Sequence, residues 1–141
     1  MSVEMQEKIG KFIKVEEILG PLSKIISKAI YTARLPNEIA KFTVDLSIER
    51  NNKRLSSRGG GEGLFTYNPR YPSWYYLKVL KKGTGVFTLT FELPGNRTIS
   101  LDSDEIYSGD EFFLEFIELY FTNSSQSGVV SPVFWLEKRY F

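Results

Sequence analysis

The spacing of hydrophobic positions changes once along the chain, near residue 37. Before that point Met5, Phe12, Leu19, Ile26 and Ala33 recur every seven residues, with Val15, Leu22 and Ala29 between them. That is the spacing of an apolar stripe on a helix. Ile18, Ile25 and Ile30 widen the stripe, Lys8 breaks its start and Gly20-Pro21 breaks its middle. Glycine is costly inside a helix and proline fits only a first turn. The pattern therefore predicts two helices, about 3–18 and 21–33, forming a leader over 1–36 that is broken at Gly20-Pro21. Three placements fit this stripe: on the chain's own β domain, on a neighbouring subunit, or on a membrane surface. Glu4, Glu7, Glu16 and Glu17 work against the last.

From residue 37 to 141 the period is two. Phe42, Val44, Leu46 and Ile48 alternate with Thr43, Asp45, Ser47 and Glu49, as in a half-buried antiparallel strand. Further strands are expected at 74–82, 86–93 and 98–101, with the turn Leu93-Pro94-Gly95-Asn96 between the last two. Two long final strands follow, 112–121 and 129–140, apolar on both faces, and a weak one lies near 64–67. About seven strands with Gly/Pro turns make the expected fold mainly β, an antiparallel sandwich with the jelly roll as one such arrangement.

Composition narrows the chemistry. Among 141 residues there is no Cys and no His. Thiolate nucleophiles, Ser-His-Asp triads and His/Cys zinc sites are therefore beyond this chain alone, and no catalytic residue, cofactor or metal is expected. Glu115 and Glu118 stand at odd separation on one predicted strand, facing opposite sides, so they do not form a glycosidase pair. No 18-residue apolar run predicts a membrane span, and the charged start lacks a signal-peptide core. The sequons at Asn96 and Asn123 are read as chance matches on that ground.

Three segments invite ligand readings. The glycine cluster from Gly59 to Gly63 is followed by Leu64-Phe65, which fits neither a phosphate-binding loop nor a dinucleotide fingerprint. It belongs to a predicted long polar loop, 50–63, carrying Arg50, Lys53, Arg54 and Arg58. Such a loop is either mobile at the surface or orders against a partner. The acidic stretch from Asp102 to Glu111 lacks an EF-hand's spacing, leaving a solvated loop, or calcium at Asp102 and Asp104, as its readings. Tyr67, Tyr71 and Trp74, held extended by Pro69 and Pro72 beside Arg70, are either core or a stacking platform for a sugar or base.

Charge is uneven along the chain although its total is only +1. Residues 35–97 carry ten positive and five negative groups, whereas 98–141 carry two and eight. Such a split suits complementary contacts between copies and argues against nucleic acid as a partner. Ser108-Gly109-Asp110-Glu111-Phe112, the strand running to Asn123, and the last strand ending Trp135-Leu136-Glu137-Lys138-Arg139 together resemble the closing hairpin of small phage and viral structural β-sandwiches. The resemblance implies a capsid, decoration, spike or tail subunit that assembles with itself and resides in the virion; outside a virus the expected place is the cytoplasm. The expectation is a non-enzymatic assembly subunit acting through Phe12, Leu19, Leu22 and Ile26 of the leader and the basic loop. The rival readings are a carbohydrate-binding module using Tyr67, Tyr71 and Trp74, and a single-stranded nucleic-acid binder using Arg54 and Lys81.

Overall fold

The computed structural model describes residues 38–138. The predicted leader, with Phe12, Leu19, Leu22 and Ile26, lies outside those residues. Eight strands are formed in order: β1 Glu38–Thr43, β2 Arg50–Arg54, β3 Tyr76–Lys81, β4 Thr88–Leu93, β5 Arg97–Asp102, β6 Glu111–Phe112, β7 Glu118–Asn123 and β8 Val133–Lys138. They build two four-stranded antiparallel sheets, β1-β8-β3-β6 and β2-β7-β4-β5. Among the described residues, no helix is long and apolar enough to cross a membrane.

The pairing has a simple rule. β4 pairs with β5, β3 with β6, β2 with β7 and β1 with β8. The chain thus behaves as one long double-stranded ribbon centred on the β4–β5 turn and wrapped so that its pairs alternate between sheets. Two further ladders, β3·β8 and β4·β7, complete the sheets. At the ribbon's centre Gly95 and Asn96 both take positive φ, 85° and 59°, the backbone a tight hairpin needs and glycine and asparagine tolerate best.

The inward faces are fixed by register. Phe42 opposes Phe134 on β1·β8, Leu77 opposes Leu136 on β3·β8, and Leu89 opposes Phe121 on β4·β7. A slip of one residue would turn each of these rings and aliphatic chains to solvent. Aromatics do much of the filling. Phe87 stacks on Phe121 at 4.8 Å, Phe134 meets Phe42 and Phe121, and Phe91 meets Phe116 edge-on at 5.3 Å.

Three expectations are corrected. The polar stretch Arg50–Arg54 is strand β2, an edge strand that shows no apolar alternation because its charges are turned to solvent or into ion pairs. The single strand expected over 112–121 is two, β6 in one sheet and β7 in the other. Apolar residues mark both faces of that stretch because the chain crosses between layers at 113–117, where Phe116 bridges to Trp74. The weak strand at 64–67 is reduced to one bridge between Ser56 and Phe65.

Candidate functional site

The basic segment is consumed internally. Arg50, 6% exposed, donates to the Glu62 carboxylate from Nε and Nη2 at 2.5 and 3.1 Å, and from Nη1 to Asp45 O, Ile48 O and Asn123 Oδ1. Lys53 Nζ donates to Gly60 O and Arg54 to Gly59 O, folding the glycine turn back along β2. Arg58 reaches Glu92 at 3.5 Å and lies over the Tyr67 ring. Gly61 explains the glycine run physically, since a Cβ there would stand 1.9 Å from the Ser56 carbonyl oxygen. The segment expected to be mobile or to wait for a partner is edge strand β2 followed by a strap, 55–63, that folds back on the strand's end and leaves Asn51, Asn52 and Lys53 exposed.

Beneath the strap lies Glu118, fully buried. Its carboxylate accepts from Ser56 N, Ser56 Oγ and Leu119 N, with Arg54 Nε 3.6 Å away. Burial raises its pKa above the usual carboxylate value, although those hydrogen bonds and Arg54 pull the other way. These groups close the strap onto β7.

The predicted stacking platform is not presented. Trp74 is 1% exposed, edge-on to Phe65 at 5.6 Å, with Lys138 Nζ 4.6 Å from its ring centroid. Lys138 is itself buried and donates to Tyr71 O at 2.7 Å; its burial lowers its pKa. Tyr67 is half-buried under Arg58, and of the three only Tyr71 is well exposed. Trp74 is a core residue, so the three rings do not form one ligand surface. Asp102, Asp104 and Glu105 do come within 4.8 Å of one another and are exposed. Asp102 accepts from Thr88 Oγ1, while Glu105 accepts from Asp102 N, so these hydrogen bonds are those of a turn.

The remaining candidate is one end of the sandwich. Four connections converge there: 44–49, 82–87, 103–110 and 124–132. Gln126 N donates to Leu46 O, and the Gln126 side chain clamps Val86 through both N and O. Thr84 exchanges bonds with Val130, and Lys82 N donates to Ser108 Oγ. These bonds tie all four connections together. Each one raises a large apolar side chain: Ile48 is 56% exposed, Val86 72%, Tyr107 66% and Val130 47%. The same four connections carry Asp45, Glu49, Asp104, Glu105 and Asp110 against the single Lys82. On the outer face of β1-β8-β3-β6 one register row runs Lys41, Trp135, Lys78 and Glu111, and the half-buried Trp135 donates from Nε1 to Glu137. Neither group was singled out from sequence. The sequence pattern concealed the first, because Ile48 continues the alternation of Phe42, Val44 and Leu46 while Val86 and Val130 fall inside predicted strands.

Comparison with protein-family models, curated proteins and solved structures finds no match for this chain.

Proposed function

We propose that this chain is a non-enzymatic jelly-roll assembly subunit, of the kind that builds a virion, and that its four-loop end docks on a further copy. One observation carries the reading: all four connections at one end expose a large apolar side chain within an acidic surround. Single exposed hydrophobics need no explanation, but one from every loop of the same end makes a patch. Charge selects the occupant. The chain totals +1, so outside this acidic end it carries a basic excess. The Lys41–Trp135–Lys78 row, which continues in register to Glu111 and lies beside Glu137, offers a copy of the chain two lysines around an aromatic surface.

One support lies in the fold. The ribbon wrap, with strand pairs alternating between two four-stranded sheets, is the connectivity of jelly rolls, an architecture shared by capsid and lectin domains. The last two long strands, expected as a closing hairpin, lie in different sheets, so the reading does not rest on that resemblance. End-to-face contact is heterologous, so the assembly closes into a ring or extends according to the rotation between copies.

Sedimentation velocity over a concentration series tests the reading. Wild type is expected to associate, more weakly as salt rises. The double variant Val86→Ser, Tyr107→Ser is expected to sediment as a monomer. A wild type that stays monomeric at every concentration overturns the proposal.

A further inference from the structure

The outer face of the β2-β7-β4-β5 sheet carries a feature that the assembly reading does not use. It is a shallow depression of about 440 Å³, within the size range of small-molecule sites. Its lining includes Thr90, Thr98, Ser100, Glu92, Tyr120 and Asn52. Cross-strand register explains how they meet: Thr90 lies opposite both Ser100 and Tyr120, and Glu92 lies opposite Thr98. Asn52 enters from the bulge of β2, where its φ is 51°. Asn96, at the β4–β5 turn, closes one side.

We infer that this depression binds a neutral carbohydrate. The first reason is the inventory of hydrogen-bonding groups. Tyr120 OH accepts from Arg54 Nη2 at 3.2 Å and donates to Glu92 Oε1 at 3.0 Å, which Arg58 also approaches. That chain fixes Glu92 while its other oxygen has no donor among the described residues. Thr90 and Ser100 share one hydrogen bond at 2.8 Å, which leaves one hydroxyl hydrogen and several lone pairs unspent. The Thr98 hydroxyl and the Asn52 and Asn96 carboxamides have no protein partner among the described residues. A fixed carboxylate beside carboxamides and hydroxyls presents paired acceptors and donors, which adjacent sugar hydroxyls complement. The Tyr120 ring supplies the only aromatic surface in the depression.

The second reason is what the lining rejects. An apolar ligand would leave the hydroxyls, carboxamides and carboxylate of this lining without hydrogen bonds. A phosphate or nucleic acid would find no uncommitted cation, because Arg54 is held by Gly59 O and Tyr120 and Arg58 by Glu92. The stacking ladder that single strands use is absent from this lining as well. The sugar reading of the chain thus moves from Tyr67, Tyr71 and Trp74 to the opposite logic: a polar sheet face with one ring.

The test uses the full chain on an array of neutral oligosaccharides, followed by calorimetric titration of the strongest binder. Glu92→Gln is expected to weaken binding about tenfold or more, the loss of roughly one charge-assisted hydrogen bond. Ser100→Ala, an exposed edge-strand change that leaves the Glu92 chain intact, is expected to weaken it several-fold with unaltered thermal unfolding. Tyr71→Ala, on the former platform, is expected to change nothing. Absence of any neutral-glycan binding overturns the proposal, as does binding that survives both Glu92→Gln and Ser100→Ala. This face is separate from the four-loop end, so the assembly reading stands or falls on its own experiment.

Discussion

The strap after β2 and the four-loop end are both irregular, and they use their side chains in opposite ways. The strap and β2 are rich in charge, and each arginine is paired within the fold: Arg50 onto Glu62, Arg54 beside Glu118, Arg58 onto Glu92. The four-loop end binds its backbone together through Gln126, Thr84 and Ser108, then leaves Ile48, Val86, Tyr107 and Val130 in solvent. A run of arginines and glycines looks like a binding loop and is a structural clasp. Valine and isoleucine inside turns look like noise and mark the open surface. Exposed charge is the ordinary condition of a protein surface, whereas clustered exposed apolar groups are not.

Breaking the clasp should have the largest effect. Glu118→Ala strips the partner from Ser56 N, Ser56 Oγ and Leu119 N and leaves Arg54 without its counter-charge. A loss of about 3–5 kcal/mol is expected in chemical denaturation. Gly61→Ala forces a methyl against the rigid Ser56 carbonyl, for an expected loss of about 1–3 kcal/mol.

The pH dependence of the clasp has a definite sign. Burial raises the Glu118 pKa, so the folded chain holds that proton more tightly than the unfolded one. The Glu118 contribution is therefore most favourable below the unfolded value near 4.5. It declines as pH rises through that value toward the raised folded one. Denaturation at a series of pH values should show this slope in wild type relative to Glu118→Gln, which lacks the ionisable group. By contrast, Val86→Ser and Tyr107→Ser each should leave stability within about 0.5 kcal/mol, because their side chains lie in solvent.

The sandwich was legible wherever burial imposed alternation. Phe87, Leu89 and Phe91 mark β4, while Phe134 and Leu136 mark β8, because each faces the core and its neighbours do not. β2 was not legible: Arg-Asn-Asn-Lys-Arg on an edge strand has no inward apolar row. The crossing at 113–117 was also hidden, since a chain passing between two layers keeps apolar residues throughout. Trp74 was readable as either core or platform, because aromatics serve both roles. Its neighbours Phe65 and Lys138 decide for the core, and Lys138 is distant in sequence. Strand order depends on non-local pairing and left no local mark.

The proposed association runs through the apolar tips and not through the basic strap. Sedimentation velocity on three full-length proteins under identical conditions tests it most directly: wild type, Val86→Ser with Tyr107→Ser, and Lys53→Ala with Arg58→Ala. Wild type and the strap variant are expected to associate alike while the tip variant remains monomeric. A tip variant that associates like wild type, or a strap variant that alone falls to monomer, would contradict it.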